Sequence, residues 1–132
     1  MRSRSKRSLV MVIALVAALA GCAGGGNIQT ASVQSGNQDI LAIVAGRFRF
    51  WPNAISVDKP GPLTLEIKNV TGSVQNFTLK DTTYKTIENV NVPPGTTTII
   101  NVDFPVRGVY QFYSNLTLRS FVGMNGQISV GQ

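Results

Sequence analysis

The feature that most restricts this chain is the shortness of its apolar runs beyond Asp39. Residues 40–45 are apolar throughout, and Arg47-Phe48-Arg49-Phe50 alternates charge with aromatic. Ile55 and Val57 flank Ser56, and residues 63–68 alternate strictly, apolar on the odd numbers. Phe77 and Leu79 flank Thr78, residues 96–102 are rich in β-branched side chains, and residues 109–113 and 127–130 complete the series. A period of two sends successive side chains to opposite faces of a sheet. The breaks carry turn residues: Lys59-Pro60-Gly61-Pro62, residues 69–72, Val92-Pro93-Pro94-Gly95 and Arg107-Gly108. About eight short strands without an amphipathic helix predict an all-β sandwich with antiparallel or mixed sheets. Residues 81–92 fit no strand and are expected to form an irregular loop over one edge.

Ahead of this region the composition changes twice. Residues 1–8 are basic, and residues 9–20 form an unbroken apolar run of twelve. That run suits the core of a signal peptide and is short of the roughly 20 residues a membrane-spanning helix needs. It ends in Leu19-Ala20-Gly21-Cys22, which resembles the lipobox of bacterial lipoproteins. The resemblance implies cleavage after residue 21 and acylation of Cys22. Each buried CH₂ contributes about 0.8 kcal/mol, so the two or three acyl chains implied would fix the chain to a membrane. No arginine pair marks a twin-arginine route. Residues 23–38 are uncharged and dominated by Gly, Ser, Gln and Asn, the composition of a flexible tether that spans roughly 20–25 Å. The glycine run within it lacks the flanking strand and Lys-Ser/Thr of a phosphate loop.

Charge excludes one class of partner. Four of the twelve basic residues, Arg2, Arg4, Lys6 and Arg7, precede the cleavage point, so the net charge of +6 falls to +2 in the mature chain. Arg47 and Arg49 around Phe48 and Phe50 suggest a basic–aromatic nucleic-acid face. The plainer reading is a strand with both phenylalanines in the core and both arginines in solvent, and no nucleic-acid partner is expected. Asn69, Asn76 and Asn115 each begin an N-x-T triplet. In a bacterial chain these are read as strand threonines beside turn asparagines.

The chain has no histidine and one cysteine. An intramolecular disulfide, a Cys/His zinc site and a Ser-His dyad are therefore impossible.

Several spaced motifs appear in a telling order. Phe48-x-Phe50-x-Pro52-x-x-Ile55-x-Val57 precedes an alternating strand ending at Asn69; Asn76-Phe77-Thr78-Leu79 and Val92-x-Pro94-Gly95-Thr96-Thr97 follow. Gly108-Val-Tyr110-Gln-Phe112-Tyr113 and Gly123-Met124-x-Gly126-x-Ile128-x-Val130 close the chain. Together they resemble the cupredoxins, the small blue-copper proteins. The resemblance covers residues 46–131 and implies a cupredoxin-like Greek-key β-sandwich of about eight short strands; the domain is expected over residues 39–132, behind a signal peptide at 1–21 and a lipidated tether at 22–38.

The family holds type 1 copper with an early His, then Cys, His and Met. The matching positions here carry Gln75, Ser114, Arg119 and Met124, so the resemblance retains only the methionine. A serine hydroxyl stays protonated at neutral pH, a glutamine carbonyl is a weak donor to Cu(II), and arginine places a positive charge where a cation would sit. No metal or other cofactor is expected. Two arrangements of the four residues are open. They form a small polar pocket in which Arg119 meets an anion or carboxylate. Alternatively, Gln75 and Ser114 hydrogen-bond each other or the backbone, Arg119 faces solvent and Met124 fills the core.

The resulting expectation is a non-enzymatic, copper-free binding or interaction module. It is lipid-anchored in the bacterial envelope, outside the cytoplasm, with an envelope protein as its possible partner and no oligomeric state marked in the sequence. A copper protein with a non-standard site, built on Met124 and oxygen ligands, is the alternative. Ser114 has no base that a motif identifies, so catalysis is not expected.

Overall fold

The computed structural model describes residues 30–33, 40–116 and 124–132. Cys22, Arg119 and the segment expected to be a signal peptide lie outside the described residues. Ten strands are present among them: β1 (Thr30–Val33), β2 (Ile40–Ala45), β3 (Phe50–Trp51), β4 (Ala54–Val57), β5 (Gly61–Asn69), β6 (Gln75–Lys80), β7 (Thr86–Val92), β8 (Thr97–Phe104), β9 (Gly108–Tyr113) and β10 (Asn125–Val130). One sheet has the order β1-β4-β10-β9-β6-β7, the other β3-β2-β5-β8. Both are mixed: β4 pairs in parallel with β1 and β10, and β2 pairs in parallel with β5. The result is an all-β sandwich.

The alternating runs bury the faces their period dictates. Leu63, Leu65 and Ile67 of β5 turn inward, as do Ile55 and Val57 of β4, Phe77 and Leu79 of β6, Tyr110 and Phe112 of β9, and Ile128 and Val130 of β10. Phe50 crosses from the smaller sheet to the larger, meeting Phe77 at 5.7 Å and Phe112 at 5.3 Å, both edge to face. Phe77 and Phe112 lie 5.3 Å apart. At the other end of the core Phe104 meets Tyr110 edge to face at 4.8 Å, and the Tyr110 hydroxyl donates to Val106 O at 2.9 Å. That hydrogen bond satisfies the one polar atom that Tyr110 carries into the core.

Four expectations need correction. First, residues 86–92 are a strand. β7 is antiparallel to β6, and a bulge opposite Leu79/Lys80 shifts the register. The bulge lets Ile87 and Val90, three apart, both pack against the core, which hides the period of two. Second, Thr30–Val33, inside the stretch read as tether, adds parallel to the edge of β4. Third, only Phe50 of the Arg47–Phe50 alternation is in the core. Residues 47 and 48 bend, leaving Phe48 52% exposed with the Arg47 guanidinium 6.0 Å from its ring centroid. Fourth, Asn76 lies within β6 and Asn69 ends β5, both buried, rather than in exposed turns.

Gly126 shows how tightly this end of the sandwich closes. A Cβ there would sit 2.2 Å from Phe112 Cζ and 2.6 Å from the Asn53 carbonyl oxygen. The backbone carbonyl cannot swing aside, because it accepts from the Gln127 amide at 2.8 Å. Gly126→Ala is therefore expected to destabilise by about 2–3 kcal/mol through overpacking. Phe112→Ala, which opens a cavity, is expected to cost about 3–5 kcal/mol. Urea unfolding measures both.

Candidate functional site

Three of the four positions singled out by the resemblance are described, and all three are buried: Gln75, Ser114 and Met124. Ser114 follows the end of β9 and Met124 immediately precedes β10. The Ser114 amide donates to the Met124 carbonyl at 3.1 Å, continuing the β9–β10 pairing past its end. Gln75 opens the neighbouring strand β6, on the same face as Phe77 and Leu79. Arg119 lies outside the described residues.

What joins β6 to the end of β9 is Asn76. Its Nδ2 donates to Asn89 Oδ1 at 2.8 Å and Asn91 Oδ1 at 2.9 Å, both on β7. Its Oδ1 accepts from the Thr78 hydroxyl at 2.7 Å and from the Asn115 amide at 3.0 Å. One side chain thus ties two strands to the residue beside Ser114. A second network holds the entry to β6. Asn69 Nδ2 donates to the Ser73 and Val92 carbonyls at 2.8 and 2.9 Å, and Asn69 Oδ1 accepts the Thr71 amide at 2.8 Å. Thr71 Oγ1 in turn accepts from Gln75 Nε2 at 2.9 Å.

Gln75 is only half satisfied by this arrangement. Its Oε1 is buried without a hydrogen-bond partner among the described residues. Ser114 Oγ accepts a long bond from the Leu116 amide at 3.4 Å. The sequence-derived alternative in which Gln75 and Ser114 bond each other or the backbone is met only for Ser114; Gln75 bonds a threonine side chain instead. Met124, 1% exposed, belongs to the hydrophobic core.

The Asn76 network escaped the sequence reading. The signal was there as spacing: Asn76 and Thr78 share one face of β6, and Asn89 and Asn91 share the facing row of β7. Pairing β6 with a strand at 86–92 would have exposed it.

No family model matches the sequence, and no curated protein matches it. Solved structures do. Sodium-dithionite-reduced auracyanin from the photosynthetic bacterium Roseiflexus castenholzii superposes with a TM-score of 0.63 at 17% identity, covering 74% of this chain and 100% of that one. The fold is cupredoxin-like. Auracyanin A of Chloroflexus aurantiacus, a "blue" copper protein, also gives 0.63, at 14% identity over 71% of this chain and 99% of its own. Amicyanin of Paracoccus versutus gives 0.53 at 17% identity, over 70% of this chain and 81% of its own.

The side chains at these positions do not suit type 1 copper. That ion takes two imidazoles and a thiolate in plane, with a thioether as its weak axial ligand. Gln75 offers a neutral carbonyl, Ser114 a protonated hydroxyl, and only Met124 supplies a donor of the matching kind. The orphaned Gln75 Oε1 is a single weak acceptor, and Gln75 Nε2 is committed to Thr71.

Three outcomes follow from this geometry. Asn76→Ala removes the partners of Thr78, Asn115 and the β7 amides together, and is expected to cost about 2–4 kcal/mol in chemical denaturation. Gln75→Met removes a buried acceptor that has no partner among the described residues, and is expected to be neutral or stabilising by about 1 kcal/mol. A third concerns the turn after β6. The Thr83 hydroxyl first, then the Lys85 amide, hold the Asp81 carboxyl below its ordinary value of 3.8. Because the folded value is the lower one, this contribution is complete above pH 4. It is lost as pH falls through the depressed value, where the protection of the Thr83 and Lys85 amides, relative to the unfolded-chain exchange rate at the same pH, should fall.

Proposed function

We propose that this chain is a copper-free, cupredoxin-like binding or interaction module, held in the bacterial cell envelope by lipid on Cys22. The observation that supports it best is Gln75. A buried amide, bound through its nitrogen to Thr71 and without a partner at its oxygen among the described residues, occupies the position that the sequence resemblance matches to the family's early histidine. The absence of histidine from the whole sequence and the lipobox-like setting of the lone cysteine support the same reading. The module is non-enzymatic, faces away from the cytoplasm and binds its partner by surface rather than by metal chemistry. One observation favours a second reading: Gln75 Oε1 has no hydrogen-bond partner among the described residues, so a copper site built on Met124 and oxygen ligands is the alternative.

The deciding experiment is copper titration of the tag-free chain in detergent. The expected result is no equimolar Cu(I) or Cu(II) binding tighter than about 1 μM, and no intense visible band. Equimolar tag-independent binding tighter than this would replace the proposal with the alternative. Separately, Cys22→Ser is expected to move the protein from the membrane fraction to the soluble fraction, since a single tether residue carries the anchor.

A further inference from the structure

The outer face of the larger sheet carries an open groove of about 680 Å³, within the size range of small-ligand sites. Its floor crosses β6, β9, β10 and β4, about 14 Å at sheet spacing. Gln111 of β9 lies opposite Gln127 of β10, and Tyr113 lies opposite Asn125. Asn53 closes one end and Tyr84 stands over the other.

Tyr84 is the feature that packing leaves unexplained. It is the one non-glycine residue at positive φ among the described residues, with φ at 65°. Side chains avoid that region, whereas glycine adopts it freely. The strained turn is nevertheless tightly held. Asp81 Oδ1 accepts from the Thr83 amide at 2.8 Å, the Thr83 hydroxyl at 2.7 Å and the Lys85 amide at 3.0 Å, and the Tyr84 amide donates to Asp81 O at 3.0 Å. Burial of the ring would offset the strain, yet Tyr84 is 65% exposed. Strain that a structure over-determines, with no packing to compensate it, points to a site.

The lining chooses the ligand. Among the described residues that line it, Lys80 is the only charged side chain, and its ammonium already lies 5.5 Å from the Tyr113 ring centroid. None of the described lining residues carries a carboxylate. A salt-driven partner such as a polyanion or an ionic protein surface therefore finds almost nothing to pair with. Amides offer a donor and an acceptor together, as hydroxyl groups require. Two tyrosines add apolar faces with a polar tip, suited to the C–H faces of sugar rings. From this we infer that the groove bounded by Tyr84 and Tyr113 binds a neutral, polyhydroxylated glycan chain. The inference rests on the binding-module reading and gives that module a ligand class.

The test uses the full chain in a detergent without a sugar headgroup, titrated calorimetrically with cellohexaose, chitohexaose and mannohexaose, and with heparin as a polyanionic probe. At least one neutral hexasaccharide should bind saturably, with an affinity little changed by added salt. Tyr84→Gly removes the ring and relieves the backbone. It should weaken binding at least about tenfold while leaving Tm unchanged or raised by a few degrees. Tyr113→Ala should weaken binding similarly, and Ile99→Ala, on the other sheet, should not. Absence of saturable binding to all three at ~10 mM, affinity indifferent to Tyr84→Gly, or binding to heparin alone that salt abolishes would each overturn the inference. Tyr84-dependent capture of an envelope protein in place of the glycans would overturn it too. None of these results touches the copper titration, so failure here is distinguishable from failure of the binding-module reading.

Discussion

Phe112 is the side chain on which this end of the molecule depends. It packs on Phe50 and Phe77, and so fastens the smaller sheet to the larger. Its ring edge occupies the space a Cβ at position 126 would need, and so dictates glycine there. That missing Cβ lets the start of β10 lie close against β9 and leaves the Ser114 amide in reach of the Met124 carbonyl. One aromatic contact thus sets the core, the turn before β10 and the spacing of two candidate site residues. Burying such a side chain contributes about 1.5–3 kcal/mol by transfer alone, before any packing gain.

Above that core the candidate site is organised by amides. Asn76 binds β7 and the Asn115 backbone, and Asn69 binds the turn into β6 and the end of β7. Each links segments far apart in sequence, so each rigidifies the loops in a way that local turn propensity cannot. A buried network of this kind is stable only when its members are satisfied, and Asn69 and Asn76 are. Gln75, between them in sequence, is the exception.

The parts of the fold legible in the sequence are those that depend on one strand at a time. The odd-numbered apolar positions of β5 and the Pro-Gly turns around residues 60 and 94 needed no knowledge of their neighbours. What was illegible depends on a partner strand. β7 reads as a loop because its bulge puts Ile87 and Val90 on one side, and the bulge exists only against β6. β1 reads as tether because its place in a sheet exists only against β4. Phe48 reads as core because alternation does not reveal that the chain bends at 47–48 before β3 begins. The site divides in the same way. Gln75, Ser114 and Met124 came from matching positions along the chain. Apart from the Thr78 hydroxyl, the Asn76 network joins residues 13 to 39 positions apart and appears only when β6, β7 and β9 are side by side.

Two unoffset costs remain in the described residues, and their placement separates them. The orphaned Gln75 oxygen costs about 1–3 kcal/mol, and the left-handed Tyr84 about 1–2 kcal/mol. Against a typical net stability of 5–15 kcal/mol neither is negligible. Gln75 is sealed from solvent, so a ligand could offset its cost only by entering the core. Tyr84 stands exposed at the rim of an open groove, where a ligand arriving from solvent reaches it without rearrangement. The buried oxygen fits a position whose side chain is tolerated. The strained, exposed ring fits a position whose side chain is used, and the proposed glycan site accordingly lies on the outer face of the sheet rather than at Gln75 and Ser114.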